Sequence, residues 1–199
     1  NQLIGNISNF HCEYPKLEYI DMSQNRFYGE LSPKWEKCGR LTSFKVSNNN
    51  ISGIIPQGIG DAFQLRVLDL SSNQLTGQIP KELRRLPFLF NLLLGNNKLS
   101  GNIPFEMGEL PQLDRLCLAA NQFKGVLPNH GWEHSKLWFL NLSNNYFTGN
   151  IPFQIVKLQY LQTLDLSYNL LVGTISQEFY ELSRLETLNL SHNSGLCGN

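Results

Sequence analysis

With 199 residues and 16 basic against 16 acidic side chains, the chain has no electrostatic footprint for nucleic acid or an anionic membrane. Its four cysteines do not make a simple disulfide framework. No stretch approaches the roughly 18 apolar residues of a membrane span. What dominates instead is a period of 24 residues. Asn1, Asn25, Asn49, Asn73, Asn97, Asn121, Asn145, Asn169 and Asn193 form one unbroken column. Four residues after each of the first eight stands a glycine, from Gly5 to Gly173, and two further on an Ile or Leu.

In chain order, residues 1–16 are the back half of a repeat, with Gly5, Ile7 and an irregular run from Phe10 to Pro15. Complete repeats start at Leu17, Leu41, Leu65, Leu89, Leu113, Leu137 and Leu161, and a last strand starts at Leu185. Within Leu65-x-x-Leu68-x-Leu70 the alternation predicts a short strand with one face buried. One such strand per coil, stacked on its neighbours, makes a parallel sheet. Asn73 follows where the chain turns inward and backbone groups need partners. Its carboxamide suits bonds within its own coil and to the next. Gly77 suits a position that a side chain would obstruct. Leu83 and Leu86, three apart, predict one turn of 3₁₀ or α-helix on the outer side. Repeats at residues 32–38 and 129–134 deviate there, and Trp35 and Trp132 are expected to fill the space that leucine fills elsewhere. Residues 1–193 therefore read as a single array, and 194–199 (SGLCGN) as the start of a C-terminal cap. Because the chain opens in mid-repeat, it is expected to be a segment of a longer protein.

L-x-x-L-x-L-x-x-N at a period of 20–29 residues marks a leucine-rich-repeat solenoid. The predicted fold is an α/β-type solenoid: a right-handed superhelix with a parallel sheet on the concave side and short 3₁₀ turns outside. The L-x-G-x-I-P signature (Ile55-Pro56, Ile79-Pro80, Ile103-Pro104, Ile151-Pro152) resembles the plant-specific class of repeats. That class builds the extracellular domains of receptor-like kinases, receptor-like proteins and polygalacturonase inhibitors. The run from Tyr19 to Gly53, with Trp35-Glu36-Lys37-Cys38, and the closing Gly195-Leu196-Cys197-Gly198 resemble the C-terminal part of one kinase group. This is the group related to the male-discoverer-interacting receptors. The resemblance implies a parent on the extracellular side of the plasma membrane, in the apoplast, with one membrane helix and a Ser/Thr kinase. It also implies a secreted peptide or protein ligand and a co-receptor kinase as partners. A secreted polygalacturonase inhibitor, or a set of spacer coils in a larger receptor, are the alternatives.

Cys38 fits the inward column of Leu86 and Leu110 as a small core residue, and Cys12 lies within bridging reach of it across coils about 5 Å apart. Cys117 reads as a free thiol on the inner surface, and Cys197 as a residue whose partner lies beyond Asn199. One enzyme pattern matches on paper: His130-Gly131-Trp132-Glu133-His134 fits H-x-x-E-H, which needs a helix to present both histidines. The segment is short, its last histidine falls in a leucine column, and no third ligand is evident. It reads as a packed turn, and no metal or cofactor is expected. The serines from Ser47 to Ser191 form a strand column rather than a nucleophile with a base. Glycosylation sequons stand at Asn6, Asn50, Asn141 and Asn189.

Binding is the function this array suggests. Outward strand positions are polar in most coils, as in Asp69-x-Ser71-Ser72. The middle coils instead present Phe90, Leu93 and Gly95, then Arg115, Cys117, Ala119 and Ala120, then Trp138 and Phe139. These are expected to form one apolar patch with small residues at its edge, the kind of surface that marks an interaction site. Arg115 would hold a carboxylate.

Overall fold

A computed structural model describes residues 1–198, except 11, 13, 15, 36, 133 and 134. Eight strands, each of three residues, pair in parallel in a single sheet whose spatial order follows the chain. They run from Tyr19–Asp21 through Val67–Asp69, Arg115–Cys117 and Phe139–Asn141 to Thr187–Asn189. The register never slips: Tyr19, Ser43, Val67, Asn91, Arg115, Phe139, Thr163 and Thr187 lie side by side. A one-residue slip would turn every leucine out of the core. The middle residue of each strand points inward, and Phe44, Leu68, Leu92, Leu116, Leu140 and Leu164 are buried.

Each coil holds a second strand, where one per coil was expected. Short strands such as Lys98–Gly101, Gln122–Val126 and Leu170–Thr174 form a further ladder beyond the asparagine turn. The cause lies in the motif itself. Leu75, Gly77 and Ile79 alternate with outward residues, so this half of the repeat also has the period of a strand. Gly77 has φ +79, and an added Cβ would meet Ile54 Cγ2 at 2.9 Å. Both the left-handed backbone and the close approach require glycine. Gly195–Cys197 pairs with Val172–Thr174 and extends the same ladder.

The outer side carries 3₁₀ turns: Gln57–Asp61, Lys81–Arg85, Phe105–Met107, Phe153–Lys157 and Gln177–Glu181. Pro56, Pro80, Pro104 and Pro152 precede the first four in extended conformation. A ring-fixed φ suits that entry, and its missing N–H is lost where no intrahelical partner exists. At the two deviating repeats the tryptophans do fill the core, with Trp35 1% and Trp132 3% exposed. Each indole N–H finds a carbonyl, that of Ser32 and of Pro128 respectively. Trp35 meets Phe44 edge-on at 4.9 Å, and Phe10 packs against both rings. Cys12 and Cys38 are disulfide-bonded, with Cα atoms 5.2 Å apart, so Cys38 is at once a core residue and a bridge.

The asparagine column closes the turns. Asn121 donates to the carbonyls of Leu118 and Ala119 in its own coil and of Leu94 in the preceding one. Its Oδ1 accepts from Leu99 N–H, also in the preceding coil. The side chain thus ties its coil backward along the chain, not forward as the sequence suggested.

Candidate functional site

The inner face is organised as columns, because every coil repeats the same register. In coils with Asp-x-Ser the outward pair satisfies itself: Asp69 Oδ1 accepts from Ser71 N–H and Oγ–H, and Asp165 does the same with Ser167. Asn141 and Ser143 repeat the arrangement with an amide. In the two coils between, Leu93 faces Gly95 and Cys117 faces Ala119, so the polar ladder is interrupted. Leu93 and Cys117 are direct neighbours across the sheet. The Cys117 thiol is free. Burial holds it above the usual thiol range, which keeps it protonated and a weak nucleophile.

Arg115 lies beside Phe139 in the sheet register. Its guanidinium sits 4.5 Å from the Phe139 ring centre and 5.5 Å from that of Trp138. The two rings meet edge-on at 5.8 Å. A cation held on two aromatic faces keeps its outer N–H edge available to a ligand. Arg115 Nε itself is buried without a partner among the described residues.

Phe90 does not join that cluster, and Trp138 belongs both to it and to a second surface. They share the next column, two coils apart, with Asp114 between them. The column is fixed by a backbone ladder in which Phe90, Asp114, Trp138 and Gln162 N–H each donate to the preceding coil. It forms one wall of an open groove of about 1000 Å³ along the strand-entry edge. Phe88, Gln112, Lys136, Tyr160 and Arg184 form the other wall. Arg66 is 5.9 Å from the Phe88 ring and Arg184 5.1 Å from the Tyr160 ring. Sequence reasoning missed this second wall. Its only signal was the residue just before each first leucine, a position that holds aromatic rings at Phe88 and Tyr160 and long polar chains elsewhere.

The expected patch is therefore two surfaces that meet at Trp138. Leu93, Arg115, Cys117 and Phe139 lie on the sheet, and Phe90 and Trp138 line its edge groove. Ala119 and Ala120 are half-buried beyond the strand ends, and Ala120 adopts the left-handed φ of 53. That conformation recurs at Asn48, Asn96, Asn144, Tyr168 and His192, all at the same place in the repeat. Of the H-x-x-E-H pattern, His130 stands against Phe105 at 5.2 Å and pairs with Asn129, while Glu133 and His134 lie outside the described residues, as does His11. Of the sequons, Asn6 and Asn50 are exposed, whereas Asn141 and Asn189 are half-buried on the inner face.

The geometry defines a repeat solenoid with a shaped inner surface, and the family follows. Models described as leucine-rich repeat match residues 15–75, 39–99 and 152–194, and a further one matches 136–158. The chain belongs to the leucine-rich-repeat family. Over 59 residues, it is 44% identical to the leucine-rich repeat receptor-like serine/threonine-protein kinase SKM1 of Arabidopsis thaliana, a match spanning 30% of this chain and 6% of that protein. The ectodomain of the Arabidopsis thaliana receptor kinase GASSHO1/SCHENGEN3, solved in complex with CASPARIAN STRIP INTEGRITY FACTOR 2, is 35% identical with a TM-score of 0.81. That match covers 92% of this chain and 27% of the ectodomain chain. The Arabidopsis receptor kinase HAESA, solved with the peptide hormone IDA and the co-receptor SERK1, is 35% identical with a TM-score of 0.75. It is matched over all of this chain and 41% of its own. The chain thus resembles plant leucine-rich-repeat receptor ectodomains and spans well under half of each. No helix among the described residues is long and apolar enough to cross a membrane.

Proposed function

We propose that this chain is a recognition segment of a plant receptor-like kinase, facing the apoplast, and that its inner face binds a secreted peptide or protein. The observation that carries the reading is the Arg115 guanidinium resting on Phe139 and on Trp138, the ring that also lines the edge groove. Aromatic and Arg side chains are the usual hot spots of interfaces, and here they interrupt an otherwise self-satisfied polar face. The peptide and co-receptor complexes of the similar ectodomains support the same kind of partners. A solenoid alone does not set its ligand, so the argument rests on these side chains. In this reading Leu93, Cys117, Ala119 and Ala120 form the low floor over which a ligand backbone passes.

Sequencing the transcript on both sides of this segment tests the architecture. A signal peptide and further repeats upstream, with a membrane helix and kinase downstream, are expected. A stop codon soon after Asn199 would overturn the receptor reading in favour of a secreted inhibitor. As an apoplastic domain the chain should also carry N-glycans, first at the exposed Asn6 and Asn50. Asn141 and Asn189 should be occupied less, because they are half-buried on the inner face. Peptide mass spectrometry with and without glycan removal checks both statements, and an unmodified secreted sample refutes them.

A further inference from the structure

The edge groove carries charges in a fixed order. Arg66 stands at one end, Asp114 near the middle, and Lys136 and Arg184 follow toward the other end. Among the described residues none of the four is in an ion pair; the ion pair found there is Arg85 with Asp61, on the outer side. Lys136 Nζ donates to Gln112 Oε1 at 2.9 Å, which holds it over the groove without neutralising it. One Asp114 oxygen is shielded from water and unpartnered. A partly desolvated carboxylate that the neighbouring Arg115 offsets only in part, without an ion pair, is unfavourable, and a ligand cation set against it relieves the remaining cost. Arg66 and Arg184 lie on aromatic rings, which leaves their N–H edges for a carboxylate.

We propose that this groove takes an extended peptide of acidic–basic–acidic order, with carboxylates toward Arg66 and toward Lys136 and Arg184 and a basic side chain against Asp114. The dimensions set its length. From Arg66 to the coil edge that holds Arg184 there are five coil steps, and at about 4.8 Å each they span roughly 24 Å. An extended chain rises about 3.3 Å per residue, so about seven residues fill the groove. The Phe90 and Trp138 rings flank Asp114 at one coil step on either side and supply apolar walls for the residues between the charges. This proposal rests on the reading of the inner face as a peptide site, and it adds which peptides that site prefers.

Selection of a phage-displayed random heptapeptide library on the 199-residue chain tests it. Enriched sequences should carry Asp or Glu near both ends and Lys or Arg in the middle. Asp114→Asn, which keeps the shape of the side chain, should weaken such a peptide about tenfold and remove the central preference. Arg66→Glu and Arg184→Glu replace exposed residues outside the core, and each should shift its end of the selected sequences from acidic to basic. Enrichment of peptides without this charge order, or affinities that Asp114→Asn leaves unchanged, would overturn the charge code while leaving peptide recognition standing. Failure to enrich any peptide would overturn both.

Discussion

Asn121 shows how much of this fold rests on one side-chain type. It is buried and makes four bonds to backbone groups in two coils. Asn121→Ala would orphan Leu99 N–H, while the carbonyls of Leu94, Leu118 and Ala119 keep donors from Asn97 Nδ2, Asn145 Nδ2 and Asn96 N–H, so the cost is about 1–3 kcal/mol for one buried group left without a partner. We expect a loss of about 1–3 kcal/mol in urea unfolding, and an unchanged stability would contradict the role given to the column. Asp114 gives a prediction of opposite sign. Burial raises its pKa, with Arg115 opposing, so its charged form is disfavoured in the folded state. Stability is therefore lost as pH rises through the folded pKa and regained as pH falls below it. Asp114→Asn should melt higher than the parent at pH 7, and the gap should close below about pH 4. A gap that widens in acid would reverse the assigned cause.

At the level of the element, the coil is the unit of structure and each coil leans only on its neighbours. The Cys12–Cys38 bridge, closing 26 residues, is worth about 3 kcal/mol by loop entropy, and its effect should stay local. On reduction, hydrogen exchange should rise in Tyr19–Asp21 and Ser43–Lys45 while Arg115–Cys117 and Phe139–Asn141 keep their protection. Uniform loss along the array would show that the coils are not separable. The same unit explains what the sequence made legible. Leu68, Asn73 and Gly77 repeat with the period, and a periodic residue declares its place in every coil at once. The second ladder was equally periodic, yet glycine at its centre masked the alternation that a strand shows. The edge groove was harder to see. Phe88, Lys136 and Tyr160 sit in a column with no residue rule, and only the stacking of coils brings them opposite Phe90, Asp114 and Trp138.

On the scale of the whole molecule, the array is a ruler with two kinds of marking. Coils with Asp-x-Ser close their own hydrogen bonds and leave little for a ligand to complete. The coils from Leu89 to Leu161 present a cation stacked on two rings and bare small residues on the sheet and, along its edge, a carboxylate without an ion pair in an open groove of about 1000 Å³. This concentration of incomplete chemistry in the middle of a regular scaffold is the reason to place recognition there. The similarity to plant receptor ectodomains reaches over nearly the whole chain, and in the proposed reading the choice of peptide falls to these non-periodic side chains.

The most direct measurement is calorimetric titration of a panel of synthetic secreted plant peptides, IDA and CASPARIAN STRIP INTEGRITY FACTOR 2 among them, into the chain and two variants. Trp138→Ala removes the ring shared by the sheet cluster and the groove, and Lys157→Ala changes an exposed residue on the outer 3₁₀ turn. We expect the chain to bind a member of the panel, Trp138→Ala to weaken that binding by about 30-fold, the scale of a 2 kcal/mol hot spot, and Lys157→Ala to leave it unchanged. Equal affinity for the chain and Trp138→Ala, or no binding to any member, would contradict recognition by this face.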